Sequence, residues 1–423
     1  MRVPAYDERS MALIELHTGA IAAGGGCVAR ADDGRVVFVR HALPGERVLA
    51  RITAETSSFL RADTVEVLDA SPERVEPPCR FAGPGRCGGC DWQHIDLAAQ
   101  RTLKAQLVAE QLRRVAATDL EVTVEEVPGA PDGLAWRTHV RFAVDGNGHV
   151  GLRRHRSHDI EPVDRCLIAT SEVESLGLEQ FRWPGASEID VRASPDGGRQ
   201  VVSVSSGRQR VRALPPIEAG IVVDGRTHRQ PDAVHFEVLG RPYRVSAGSF
   251  WQVHPGAAPL LARVVLDVLG AKIGDHFVDL YAGAGLFTAL VGDVVGPTGS
   301  VLAVERDRRA VADARHNLAD MGHVEIRKAS VSPSLIAEHL GHPDLVALDP
   351  AREGAGRPVM TALAALRPRP RRIAYVSCDP ASFARDLRVM LDAGWTMPTL
   401  RAFDLFPMTE HVELVGLFEP PAP

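Results

Sequence analysis

Residues 276–288 read HFVDLYAGAGLFT, and this stretch decides the fold. An apolar strand ends at Asp279, and a turn at Gly283 and Gly285 then opens a helix. Ligands of open α/β sheets bind at the carboxyl ends of strands, where glycine lets backbone come close. The next strand, VLAVE, ends in Glu305, where a carboxylate can accept both hydroxyls of a ribose. Dinucleotide enzymes share that arrangement, but here Thr288 fills the third position of G-x-G-x-x-G. An adenosyl cofactor without a pyrophosphate is therefore the better fit; the plainer reading is a parallel sheet whose glycines only close a turn.

Outward from this turn, helix and strand alternate from about Pro255: LLARVVLDVLG, HFVDLY, VLAVE, RRAVADARHNLA, DLVALD, RIAYVS. That alternation predicts a doubly wound, mostly parallel sheet. LRAFDLFPMTEHVELVGLFE reads as two further strands joined by a loop. Before this region, Met11 to Ser71 shows short apolar runs separated by glycine, the pattern of a small antiparallel barrel. Pro72, Pro77 and Pro78 break it, CRFAGPGRCGGCDWQH follows, and a helix is expected from about Leu97 to Ala116. Strand signals resume from Trp136 to Val245, with a turn at Asp145–Gly146–Asn147–Gly148. Three domains are expected, at 11–71, 72–245 and 246–423.

The 423 residues are 45% hydrophobic and 24% charged, which excludes a disordered chain. No apolar run is long enough to span a bilayer and MRVPAYDERS resembles no leader, so the cytoplasm is the expected compartment. A net charge of −6 argues against indiscriminate coating of nucleic acid but leaves room for a local basic face. Arginine dominates, the only lysines being Lys104, Lys272 and Lys328. The runs Arg153–Arg156 and Arg367–Arg372 are either phosphate contacts or solvated loops.

The segments LDPAREG and YVSCDPASFARDL end two later strands and deliver polar residues to the edge that carries the glycine turn. Cys378 precedes Asp379–Pro380 and a helix, a position expected to lower a thiol's pKa. A lone cysteine ending a buried strand is otherwise an inert core residue; its place at a cofactor edge favours the reactive reading. Cys79, Cys87, Cys90 and the distant Cys166 offer four thiolates, and spacing alone does not separate a [4Fe–4S] cluster from structural zinc. Cys27 is expected in the barrel core.

Taken in order, AGSFWQVHPG, DLYAGAGLFT, VLAVERD, LDPAREG, YVSCDPASFARDL and FPMTEHVE resemble the RNA uracil-5 methyltransferase family over most of the chain. The resemblance implies a class I, Rossmann-like methyltransferase sheet, an N-terminal OB-like TRAM barrel and a central, mainly β, RNA-binding region. It implies S-adenosylmethionine as cofactor and RNA as partner, with rRNA favoured over tRNA and no obligate protein partner. It further implies Cys378 as nucleophile, Glu413 as general base, and Gln252, Tyr281, Glu305 and Asp349 as cofactor residues. A surface carboxylate paired with arginine is the plain alternative for Glu413, and a helix N-cap that for Asp349. For the cysteines the resemblance favours iron–sulfur, although the FAGPGR loop lengthens the first gap. Ala351, Leu286, Met408 and Ser330 depart from the family's usual residues without removing a catalytic group.

Carbon 5 of uracil is too weak a nucleophile to take a methyl group unaided. Thiolate addition at carbon 6 activates it, and a base then removes the carbon 5 proton. The target base has to leave its stack, so base flipping or a loop substrate is expected. The competing classes are an inactive RNA-binding protein on this scaffold, a methyltransferase for another acceptor, and an iron–sulfur oxidoreductase.

Overall fold

The computed structural model describes residues 12–195, 197–198 and 200–421; Met11, where the expected barrel begins, lies outside them. The chain divides into two compact units. The first runs to Leu107 and takes in Leu152–Glu161 and Pro407–Glu410, and the second holds the remainder. Residues 72–107, expected to open a central domain, thus cluster with the barrel.

In the first unit, β1 (Leu13–His17), β2 (Cys27–Arg30), β3 (Val36–Arg40), β4 (Arg47–Glu55) and β5 (Phe59–Asp69) form one sheet ordered β1-β4-β5-β3-β2. Alternating side chains fill its inside, where Cys27, Val37, Val39, Val48 and Ala50 are fully buried. Contrary to the antiparallel expectation, β3 and β5 run parallel, Val37 facing Leu60. β4 comes between them in sequence and, pairing antiparallel with β5, turns the chain back before β5 docks on β3. Helix α1 (Leu97–Gln111) follows and continues as a wider turn through Ala116.

In the second unit, β6 (Val124–Glu126) precedes a mainly antiparallel sheet. Its strands begin with β7 (His139–Val144) and β8 (Val150–Arg153), paired through the Asp145–Gly148 turn. After β9 (Ile160–Pro162) and the short α2 (Ser171–Glu174) come β10 (Ala186–Arg192), β11 (Val201–Ser206), β12 (Gly220–Val223) and β13 (Arg226–Arg229). A separate hairpin, β14 (Ala233–Val238) with β15 (Arg241–Ser246), leads to α3 (Ala257–Leu269).

The expected alternation then appears as β16 (His276–Leu280), α4 (Leu286–Val295), β17 (Ser300–Glu305), α5 (Arg308–Asn317), β18 (Val324–Lys328), α6 (Pro333–His339) and β19 (Leu345–Leu348). It continues through α7 (Arg357–Ala365), β20 (Arg372–Ser377), α8 (Pro380–Asp392), β21 (Thr396–Asp404) and β22 (Glu413–Glu419). The sheet order is β18-β17-β16-β19-β20-β22-β21-β6. Strands β16 to β20 are parallel, and all but the edge strand β18 are buried on both faces, which is why those four read as apolar runs. The topology reverses at β16, between β17 and β19, where such sheets bind ligands. Among the described residues no helix is long and apolar enough to cross a membrane.

Candidate active site

The carboxyl ends of β16, β17, β19 and β20 bring the predicted residues to one edge of the second unit. Asp279 is fully buried near the end of β16 and accepts a 2.6 Å hydrogen bond from the Thr288 hydroxyl on α4. That bond explains why threonine replaces glycine there: it ties the first strand to the helix across the turn. Burial pushes the Asp279 carboxyl up to about 7. The backbone turns through left-handed positions at Tyr281 (φ 64°), Gly283 (φ 55°) and Gly285 (φ 90°). For a bulky residue such as Tyr281 this is a strained conformation, and strain of this kind concentrates at ligand sites. A Cβ placed on Gly283 would meet nothing within 4 Å, so the turn borders open space.

Glu305 is aimed at that turn. Its Oε2 accepts from the Gly283 amide (3.0 Å) and its Oε1 from the Asp307 amide (2.7 Å), leaving further lone pairs for a ligand's hydroxyls. Gln252 is half-buried on a segment anchored by Trp251, which packs on Phe236 (5.1 Å) and Tyr243 (5.3 Å). Asp349 follows β19 and is not a helix N-cap, since α7 begins later and Gly356 takes that position. The N-cap is Asp379, which accepts from the Ser382 amide at 2.7 Å and sets α8 in place behind Cys378.

Cys378 and Glu413 meet because β20 and β22 are antiparallel neighbours with Ser377 opposite Leu414. Cys378 is the residue after Ser377 and Glu413 the one before Leu414, and the Glu413 charge acts on the thiol. Glu413 is 3% exposed, which removes the surface ion-pair reading, and burial with Asp349 nearby holds its carboxyl well above the usual range. Asp349 itself is pushed up to about 7 by burial and by Asp279.

The thiol differs from expectation. Burial, then the charges of Glu413 and Asp349, push Cys378 up to about 12. The helix amino terminus and Arg352, which acts in the lowering sense, are outweighed. In the free protein Cys378 is therefore a thiol at neutral pH.

Sequence reasoning assigned no role to Arg352 or His411, although both stand inside the quoted motifs. The Arg352 guanidinium donates from Nη2 to His411 Nε2 at 2.6 Å. Arginine has no acceptor, so this imidazole is neutral with its proton on Nδ1. The loop that carries Arg352 is held from α8. Asp386 accepts from the amides of Ala355 (2.8 Å) and Gly356 (3.1 Å) and from the Tyr375 hydroxyl (2.7 Å). A Cβ on Gly354 would lie 2.7 Å from Asp386 Oδ2, so only glycine fits there. The arginine run at 367–372 is largely committed to the fold, with Arg371 on Asp275 (2.5 Å) and Arg372 on Glu419 (3.1 Å).

Cys79, Cys87 and Cys90 belong to the first unit and Cys166 to the second, all half-buried and none in a disulfide. Among the described residues no three His, Cys, Asp or Glu side chains converge to hold a metal ion. The donor chemistry of these four thiols suits a thiolate-bound centre. Cys27 is buried in the barrel with its Sγ 3.3 Å from the Ala42 carbonyl, a core residue as expected.

Residues 19–65 match the TRAM domain, and residues 235–333 match the protein-L-isoaspartate(D-aspartate) O-methyltransferase family. An uncharacterized RNA methyltransferase of Streptomyces coelicolor is 47% identical over 96% of this chain and 93% of its own. A 23S rRNA (uracil(1939)-C(5))-methyltransferase of Acidithiobacillus ferrooxidans is 31% identical over 92% of this chain and 93% of its own. The chain belongs to the RNA uracil-5 methyltransferase family. The fold of this methyltransferase is also that of the Pyrococcus abyssi tRNA (uracil-54, C5)-methyltransferase, solved in complex with S-adenosyl-L-homocysteine. That structure superimposes with a TM-score of 0.73 at 20% identity, covering 96% of this chain and 100% of the other. The methyltransferase thus joins a TRAM barrel to a sheet whose switch point carries Glu305, Asp349, Cys378 and Glu413.

Proposed function

We propose that this enzyme methylates carbon 5 of a uridine in RNA, with Cys378 as nucleophile and Glu413 as base. The observation that supports the reading is that Cys378 directly follows β20 and buried Glu413 opens its antiparallel neighbour β22, with the charges of Glu413 and Asp349 both acting on the thiol. Glu305 and the open turn at Gly283 fit the ribose and backbone approach of an adenosyl ligand, with Tyr281, Asp349 and Gln252 as further cofactor residues. S-adenosylmethionine, bound there, supplies the methyl group.

As Cys378 sulfur adds to carbon 6, the thiol proton passes by way of Glu413 to solvent water, which leaves Glu413 a carboxylate again. Electron density gathers on carbon 5, which takes the methyl group. Glu413, as carboxylate, next removes the carbon 5 proton; the carbon 5–carbon 6 double bond re-forms and the carbon 6–sulfur bond breaks, returning the thiolate. Arg352, steadied by His411, stands on the same edge to offset the negative charge of this sequence. The TRAM barrel serves RNA binding, and rRNA is favoured over tRNA because the chain carries both a barrel and a cysteine set.

The test uses methyl-labelled S-adenosylmethionine and 5-fluorouridine-substituted rRNA and tRNA transcripts. Fluorine at carbon 5 cannot leave as a proton, so a labelled protein–RNA adduct is expected on a denaturing gel, absent in Cys378→Ala. The transcript that shifts names the substrate. Absence of adduct with both, despite cofactor binding, overturns the uracil-5 reading; absence of cofactor binding as well restores the inactive RNA-binding alternative.

The quartet Cys79, Cys87, Cys90 and Cys166 is carried forward on donor chemistry alone as ligands of a [4Fe–4S] cluster, with zinc as the alternative. Iron, zinc and acid-labile sulfide analysis of anaerobically purified enzyme decides between them.

A further inference from the structure

The segment that precedes Glu413 is clasped at Met408. Pro407–Glu410 belongs to the first unit, and the chain then runs through His411 and Val412 into β22, which Glu413 opens. Met408 holds a left-handed backbone (φ 67°), a conformation that a bulky residue keeps only where its surroundings enforce it. Both its amide and its carbonyl are engaged within the first unit. The Met408 amide donates to Gln100 Oε1 (2.8 Å), and the Met408 carbonyl accepts from the Trp92 amide (3.0 Å).

Gln100 is fully buried on α1. Its Nε2 donates to the carbonyls of Ile95 (2.9 Å) and Trp92 (3.1 Å), so the turn leading into α1 aims the carboxamide oxygen at the loop. Met408 Sδ lies 3.5 Å from the same nitrogen, which gives the thioether at this departure from the family's usual residue a place in the clasp. Trp92 is fixed in turn, its indole N–H donating to the Gly25 carbonyl of the barrel (2.9 Å). A Cβ on Gly25 would lie 3.1 Å from both Trp92 Nε1 and Glu410 Cβ, so the turn between β1 and β2 closes on the same segment.

An apolar side chain in place of Gln100 would bury the loop as well. A carboxamide does something further: it fixes backbone atoms, because a buried amide left unbonded is costly and Met408 satisfies its own only within reach of Gln100 Oε1. A short stretch on, the same chain delivers the carboxylate whose charge acts on the Cys378 thiol. We propose, on the reading of Glu413 as the base, that Gln100 is a positioning residue: by holding Met408 it fixes where the loop delivers Glu413 beside Cys378.

The test is a double-mutant cycle on the full chain. Gln100→Met removes the carboxamide at similar volume, and Gln100→Glu keeps an acceptor for the Met408 amide. Iodoacetamide alkylation of Cys378 is followed at about pH 9 by mass spectrometry of its peptide, for each variant alone and combined with Glu413→Gln. Alkylation roughly threefold or more faster is expected in Gln100→Met, with a smaller gain in Gln100→Glu and no further gain when Gln100→Met is added to Glu413→Gln. With the transcript that forms the 5-fluorouridine adduct, now unmodified, Gln100→Met should lower kcat roughly tenfold or more, leave KM for RNA nearly unchanged and accumulate the methylated covalent adduct. Alkylation equal to wild type in Gln100→Met overturns the proposal. So does the same gain with and without the Glu413 carboxyl, which makes Gln100 a packing residue only. Thermal melts check folding, and Gln100→Glu carries the cycle if Gln100→Met does not fold. Failure of the base reading shows separately, as Glu413→Gln turning over RNA at the wild-type rate.

Discussion

Glu413 is the strongest charge acting on the Cys378 thiol, ahead of Asp349, Arg352 and Asp379. The base proposed to finish the reaction therefore also restrains the nucleophile that begins it. In the resting enzyme the thiol keeps its proton, and RNA binding has to change the balance before sulfur can attack.

Replacing Glu413 by Gln separates the two effects. With the negative charge gone, the Cys378 pKa falls, and iodoacetamide alkylates Glu413→Gln faster than wild type at the same pH. In the wild-type protein the alkylation rate should climb about tenfold per pH unit with no plateau below about pH 10. With unmodified RNA the variant should accumulate the methylated covalent adduct while turnover falls by roughly 100-fold or more. Slower alkylation in Glu413→Gln would refute the coupling.

Stability should respond to pH in a defined direction. Asp279 and Asp349 lie at about 7 in the folded chain, well above their ordinary value. A carboxyl raised on folding contributes fully below its unfolded pKa, and that contribution is lost as pH climbs through the folded value. Buried His41, His94 and His254, held low by burial, act in the opposite sense below about pH 6.5, so the informative window lies above it. From about pH 6.5 to 8 the Tm should fall, and Asp349→Asn should flatten that fall. A Tm that rises across this window in wild type would contradict the buried-carboxyl account.

His411 offers a cleaner probe of Arg352 than changing the arginine itself. In His411→Phe the 2.6 Å acceptor is absent while the bulk remains. Single-turnover adduct formation with 5-fluorouridine RNA should slow roughly tenfold, whereas His411→Asn, which can still accept, should recover part of the rate. Equal rates in all three proteins would mean that the contact has no bearing on the chemistry.

Thr288→Val tests the tie across the first turn. It leaves the buried Asp279 carboxyl without its side-chain donor, a loss of about 1–3 kcal/mol in urea unfolding. Thr288→Ser should keep most of the stability.

The parallel half of the sheet was legible because each strand is a buried apolar run ending in a polar or glycine-rich turn, a pattern contained within a dozen residues. Thr288 was noticed as a departure, but its partner Asp279 explains it only in three dimensions. What the sequence hid depends on neighbours far along the chain. The thiol's pKa is set by carboxylates that follow β19 and open β22, and local helix chemistry pointed the wrong way. The parallel β3–β5 pair was missed because hairpin spacing reports only the strands next in line. Strand β6 was missed as well: its three residues carry too little pattern, and Ala402 opposite Val124 gives it a place at the sheet edge.

The Asp386 clamp bears on how this enzyme can drift. The 350–356 loop takes its shape from a turn closed by the Gly354 amide on the Ala351 carbonyl (2.8 Å) and from one carboxylate on α8, with Tyr375 on the same oxygen. A proline at position 351 would stiffen a segment already fastened at its far end, so alanine there costs little. For stability, tolerance therefore resides in the exposed Ala351–Glu353 stretch, where Arg352 matters to the chemistry alone, and intolerance in Gly354 and Asp386. A mutational scan of residues 350–356 and 386, read by thermal melts, should trace that divide, with the largest losses of Tm at Gly354 and Asp386.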